Sequence, residues 1–549
     1  MTNATDPIAL AGALLDPQHI SQHWPAATAG LVFIVFALLA QSWLKVDPVA
    51  HVPVVGKGGK WARRKAYNQG QGPRLYADGY KQFKDSIFRI TTSKSGCRNY
   101  KSTYIPADLD LSEKDTICVP PKYLPELKKV PDDVISFTRA IDESMQVKYT
   151  KMPNDMPILI HAIRASLTPA LPRLNAAISD EVNDSMRLEL PQSSTWTEVN
   201  INAKLLRIIA MASGRVFIGS ELCRDERYLD ASISYTIDLM TAVHVIALVP
   251  SFLRPLLASW LPTTKKLYKR LADAEAVFRP IVAARKAEAA AQREDDPGYR
   301  EPDDMLQWIL NAQDKFGALS DRELAHAQLG ISVAAIHTTS MTTTNAVYWL
   351  AAKPDMIPML RDDVQQALVE SGGGFTSGAL QNMKKLDSFL KEVMRCTPLS
   401  ATSFTRKVLK DVTLPNGQTI PEGMFIEVPA DGMNNDPDIF PDPHVFDPLR
   451  FYKLREAKEL AAASGPKAAE VVVQAQFVSV GTTHLTFGYG KHACPGRFFA
   501  VNEIKMIIAN ILCNYEIRMP EGMTERYENL AFGSSIVPDP KKTIMIRKL

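Results

Sequence analysis

The stretch Phe487-Gly-Tyr-Gly-Lys-His-Ala-Cys494-Pro-Gly-Arg-Phe-Phe-Ala500 carries more chemical information than any other part of this 549-residue chain. Gly488 and Gly490 permit a tight turn and a close approach of backbone to a flat ligand. Cys494 stands at the end of that loop, just before a helical run that starts at Arg497. A helix amino terminus and neighbouring N–H groups are expected to stabilise a thiolate there, and deprotonated sulfur is a strong donor to iron. A lone cysteine in a glycine-rich loop is ordinarily structural. The full spacing Phe-x-x-Gly-x-x-x-Cys-x-Gly sets this one apart.

Two further patterns lie upstream. Glu392-Val-Met-Arg395 places an acid and a base at i and i+3, neighbours on one helix face. It is followed by Pro443-His-Val-Phe446-Asp-Pro448-Leu-Arg450-Phe451. Earlier still comes Ala334-Ala-Ile-His337-Thr338-Thr339-Ser340, in which six of the seven residues from Thr338 to Thr344 are Ser or Thr. That is a poor composition for a helix, and hydroxyls bonding back to the i−4 carbonyl can bend one.

Taken in this order, the three motifs resemble the cytochrome P450 superfamily over about residues 66–549. The resemblance implies a mainly α fold with small β-sheets and a single large haem domain. It implies haem b with Cys494 as the axial iron ligand, where thiolate donation favours O–O cleavage. Phe487 then packs near the sulfur, Gly490 and Gly496 shape the loop, and His492 takes a place often filled by an arginine that reaches a haem propionate. Glu392, Arg395 and Arg450 form a buried structural ion network behind the haem. Thr338 serves proton delivery on the oxygen side, and His337 stands where the family usually has an acid, as a proton relay or as an outward-facing polar residue. Ala335 replaces the usual glycine. Arg164, where Ile160 replaces the family's tryptophan, and Arg406 are carried over as propionate ligands, with solvated surface arginines as the alternative reading. The Ala-Ala-Ile-His-Thr-Thr-Ser variant resembles filamentous-fungal microsomal members that oxidise diterpenes and indole diterpenes in secondary metabolism.

Working toward the amino terminus, residues 25–44 contain no charge and are long enough to span a bilayer, with Trp24 and Trp43 at the ends. No basic residue precedes the span, while Lys45, Lys57, Lys60, Arg63, Arg64 and Lys65 follow it. The expected layout is a short lumenal segment at 1–23, one transmembrane helix at 24–44, a Pro/Gly/basic linker at 45–65, and a cytoplasmic catalytic domain at 66–549. This amounts to a single-pass protein of the endoplasmic reticulum membrane.

The remaining chain reads as helical through Leu205–Val216, Phe278–Gln292 and Leu324–Ala352, with a hairpin about Asn416-Gly417. Residues 236–262 are unusually apolar and broken by Pro250, Pro255 and Pro262, reading either as core helix or as short helices roofing a lipophilic pocket. Ala461–Ala475 reads as a surface insertion. A net charge of +3 excludes a general nucleic-acid binder, and six scattered cysteines exclude a disulfide framework.

The function expected from the resemblance is a monooxygenase that inserts oxygen from O2 into a lipophilic, terpenoid substrate (a diterpene, indole diterpene or meroterpenoid). Its electrons would come from an NADPH-dependent flavoprotein reductase, with cytochrome b5 as a possible second donor. Lys491, Arg497 and Lys505 would offer that reductase a basic face. A reductase-independent haem-thiolate isomerase or dehydratase, and a non-catalytic haem sensor or carrier, stand as alternatives.

Overall fold

The computed structural model describes residue 29 and residues 47–93, 115–295, 301–461 and 472–549. The expected lumenal segment, all of the expected transmembrane helix but residue 29, and the start of the linker lie outside the described residues. Among the described residues, Glu226–Leu248 is the one helix long and apolar enough to cross a membrane, and 44% of its most apolar window is buried against protein.

Helices dominate, and the three stretches with helical spacing fall inside Ile201–Phe217, Pro262–Asp295 and Asp321–Ala352. The last, the long helix, starts with a capping box. The Ser320 hydroxyl accepts from the Glu323 N–H, and Glu323 reaches back to the Ser320 N–H at 2.8 Å. Its Ser/Thr run stays helical because the hydroxyls are satisfied within the helix. Thr338 donates to the Ala334 carbonyl, Thr342 to Thr338 and Thr343 to Thr339, at 2.8–2.9 Å. The helix continues unbroken to Ala352, so the expected bend does not disrupt it.

Small sheets flank this bundle. The largest has five strands in the order Phe88–Ile90, Thr116–Cys118, Phe425–Val428, Ser403–Val408, Ile135–Ser136. Its inner strand Phe425–Val428 is buried at every residue, which suits a near-continuous apolar run. Val412–Thr413 pairs with Thr419–Ile420 around Gly417, whose φ of +82° favours glycine, as the Asn-Gly signal predicts.

The apolar stretch 236–262 divides into the end of a packed helix and three short turns (Ser251–Leu253, Arg254–Leu257, Ala258–Trp260). Leu256 and Trp260 are exposed there. At the end of the expected surface insertion Val473 is exposed, as expected, whereas Ala475 is buried. Ala475 packs with Phe440 and Phe451, and the Gln474 and Gln476 carbonyls accept from Lys391; residues 462–471 lie outside the described residues.

Candidate active site

The loop 487–496 folds on its own backbone. The Cys494 N–H donates to the Phe487 carbonyl at 2.8 Å, and the Gly488 N–H to Leu485 at 2.9 Å. Gly488 and Gly490 take φ of +75° and +73°, where a side chain would be strained. A Cβ on Gly490 would also press on Lys128 at 3.0 Å. Gly496 differs: its φ is −85°, and a Cβ there would meet nothing within 4 Å, so no protein contact requires glycine.

The Cys494 thiol is half-buried, and burial pushes its pKa up. The Gly496 and Arg497 N–H groups and the Arg497 guanidinium pull it down, with smaller effect. The N–H groups at the helix end thus act in the direction the sequence reading expects, against the effect of burial. Phe487 packs beside Phe477 at 5.9 Å between ring centres.

Cationic groups ring the loop. Arg164 lies exposed on Ile163–Leu167 and donates to the Lys491 carbonyl at 2.8 Å. Arg406 is 4% exposed, so it is no solvated surface arginine. A bulge aims it: Phe404 takes φ +55°, and the strand register slips between Ser403 and Arg406. The guanidinium sits 4.1 Å over the Phe404 ring and 5.2 Å over Phe137. It makes one hydrogen bond among the described residues, to the Thr405 carbonyl, and burial pulls its pKa down to about 10. His492 stacks on Phe137 at 5.1 Å, and its Nε2 lies 2.8 Å from Asp132, which also holds Lys491 at 3.0 Å. Of the three residues expected to form a basic docking face, Lys505 does not belong. It is buried, bonded to the Leu380 carbonyl and paired with Asp387 at 2.6 Å.

The long helix packs against Arg497–Asn514, the helix that continues from the cysteine loop. Ala334 and Thr338, at i and i+4, are exposed on a segment where Ile336, Thr339 and Ser340 are buried. That strip borders open space. His337 points elsewhere: its Nε2 lies 3.1 Å from the Ile233 carbonyl on Glu226–Leu248, and burial pulls its pKa down.

The structure brings Glu392, Arg395 and Arg450 together. Arg395 donates to both Glu392 oxygens at 2.8 and 2.7 Å, and Arg450 Nε donates to Oε1 at 3.1 Å. Asn434 and Pro443 carbonyls take the Arg395 Nη1 donors, and the Asp447 N–H also serves Glu392. Every residue from Leu386 to Arg395 is buried, so each charge on this helix needs a partner inside the protein.

Two buried groups escaped the sequence reading. Asp387 holds Lys505, Arg455 and the Phe477 N–H, five residues before Glu392. Glu503, nine residues past Cys494, is fully buried; burial pushes its carboxyl up to about 8, and the Ser213 hydroxyl donates to it at 2.8 Å. In sequence both look like ordinary helix-surface charges.

This donor set fits the haem that the resemblance implies. A single soft sulfur stands in a loop whose glycines admit a flat group. Arg406 has unspent donors for a carboxylate, and no cluster of three His, Cys, Asp or Glu among the described residues competes for the metal.

Comparison with known proteins agrees. The profile described as Cytochrome P450 matches residues 158–545. The cytochrome P450 monooxygenase ATR3 of Stachybotrys chlorohalonatus is 41% identical over 438 residues, 80% of this chain and 90% of that one. The monooxygenases braC of Annulohypoxylon truncatum and paxP of Penicillium paxilli are 31% and 30% identical, covering 95% and 94% of this chain and 97% and 93% of their own. A cysteine loop of this geometry, in a chain that such relatives match almost end to end, belongs to an oxidoreductase of the cytochrome P450 family.

Proposed function

We propose that this enzyme is a membrane-anchored monooxygenase of fungal secondary metabolism. In this reading it hydroxylates a lipophilic, terpenoid substrate at the endoplasmic reticulum, with electrons from an NADPH-dependent flavoprotein reductase. The observation that carries the lipophilic assignment is an apolar crest. Leu248, Leu256, Leu257 and Trp260 are exposed at the end of Glu226–Leu248 and the turns after it. Arg64 donates to the Ala247 carbonyl there, which brings the Lys60–Ala66 helix with its exposed Trp61 to the same region. His244 meets the exposed Phe532 of the 529–538 hairpin, 6.3 Å between rings. An apolar crest with lysines among it, as where Lys265 covers Trp260, suits a bilayer surface and an apolar substrate.

Haem, when bound, would supply the chemistry of O2 activation. The chain does the rest. Cys494 offers the sulfur, and Arg406 and Arg164 offer charge to the propionates. Thr338 presents a hydroxyl on the open strip; it now donates to the Ala334 carbonyl and must swing from it to pass a proton. One oxygen atom enters a substrate C–H bond. The other leaves as water with two electrons and two protons.

The test is turnover in microsomes carrying this chain and a fungal reductase, offered diterpenes, indole diterpenes and meroterpenoids. An NADPH-dependent product heavier by one oxygen is expected. Conversion that proceeds without NADPH would instead mark the isomerase or dehydratase, and turnover of non-terpenoid lipids alone would overturn the substrate class.

A further inference from the structure

His337 occupies the place of the family's acid, yet its side chain engages a different part of the protein from the strip that Thr338 borders. Adjacent residues on an α-helix project about 100° apart. With Ala334 and Thr338 on the open strip, His337 turns toward the Glu226–Leu248 helix and meets the Ile233 carbonyl at 3.1 Å. That partner fixes the tautomer: a carbonyl accepts, so Nε2 carries the proton. The Ile233 carbonyl has a second lone pair for the imidazole beside its own helix bond.

We propose that His337 is a positioning residue, a latch that ties Glu226–Leu248 to the turn of the long helix presenting Thr338. This rests on the oxygen-side role proposed for Thr338.

Three observations carry it. The two helices pack on each other, and among the described residues this is the one well-formed hydrogen bond between them. The interface is otherwise short of polar closure: Tyr228 comes near Ser332 on the long helix, but its hydroxyl lacks a well-formed partner. Second, Glu226–Leu248 ends in the apolar crest, so any movement of the crest as a substrate enters reaches Ile233 through one continuous helix. Third, His337 adjoins Thr338, whose hydroxyl is tied to Ala334 and Ala335 in the same turn. A pull on His337 therefore acts on the turn that aims that hydroxyl. Burial lowers the imidazole pKa, and the Ile233 carbonyl favours the neutral tautomer protonated at Nε2.

Substitutions separate a latch from a proton relay. The amide nitrogen of Gln lies as many bonds from Cα as imidazole Nε2, whereas that of Asn lies where Nδ1 does. His337→Gln keeps the donor within reach, His337→Asn shortens it, and His337→Asp restores the family's acid on the same short arm, with no donor when ionised. The haem-loaded full-length chain is compared by hydrogen exchange over residues 233–240, with the carbon monoxide spectrum as a check on the haem. Losing one hydrogen bond of this kind should speed local exchange about three- to tenfold in the Asn and Asp variants. The Gln variant should stay within about twofold of the parent. NADPH-driven peroxide release should follow the same order. Exchange unchanged in Asn and Asp, or a Gln variant as loose as they are, would overturn the latch. An Asp variant that is better coupled than Gln would assign His337 to proton relay instead.

Discussion

Arg395 grips both carboxylate oxygens of Glu392, at 2.8 and 2.7 Å, with neither side chain exposed to solvent. The pair stands at the junction of the helix Lys384–Cys396 with the 434–450 segment, because the remaining Arg395 donors go to the Asn434 and Pro443 carbonyls. Breaking it strands a buried charge. Arg395→Ala or Glu392→Gln should cost roughly 3–5 kcal/mol of stability. Urea unfolding and the ratio of haem to protein check this: both variants should purify largely without haem, and a stable variant with full haem would refute the structural role.

Thr338 is the hydroxyl on the open strip of the long helix. Thr338→Ala should retain haem and an unaltered carbon monoxide spectrum, since its hydroxyl bonds only within its own helix. General acid catalysis by one side chain is worth on the order of a hundredfold or more, so product formed per NADPH should fall at least about tenfold while peroxide rises. Measuring NADPH, peroxide and product together decides it.

Arg406 is buried with spare donors and no carboxylate partner among the described side chains it bonds. A charge-assisted hydrogen bond is worth about 1.5–3 kcal/mol, so Arg406→Leu should speed haem transfer to a scavenger globin by about ten- to a hundredfold. Arg164, which is exposed, should matter less in the same assay.

Glu503 makes a pH prediction with a definite sign. Burial lifts its carboxyl from the ordinary value to about 8, so the folded protein holds a proton that the unfolded chain releases near pH 4.5. The folded state then binds more protons across that window, and stability must fall as pH rises from about 4.5 to about 8. Glu503→Gln keeps the Ser213 hydrogen bond and has no proton to lose. Urea titrations at several pH values should show a shallower decline for the Gln variant across that window; parallel curves would contradict the assignment.

The parts legible in the sequence were those fixed by short spacing. The turn at Gly488 and Gly490, the Glu392–Arg395 pair one helical turn apart, and the Asn416-Gly417 hairpin are all local geometry. What was missed depends on elements far apart in the chain. Asp387 meets Lys505 across more than a hundred residues, which is why Lys505 looked like a surface base. His492 finds Asp132 from the far end of the chain. The aim of Arg406 depends on a bulge at Phe404 that no residue type announces. For His337 the motif identified the position and left two roles open, and helix phase turns the side chain toward the Ile233 carbonyl.

The most direct test of the account is the carbon monoxide difference spectrum of the dithionite-reduced protein beside its Cys494→Ala variant. The account predicts a Soret band at the red-shifted thiolate position in the parent and its loss in the variant. An unchanged band in the variant, or a histidine-type band in freshly prepared parent protein, would contradict it.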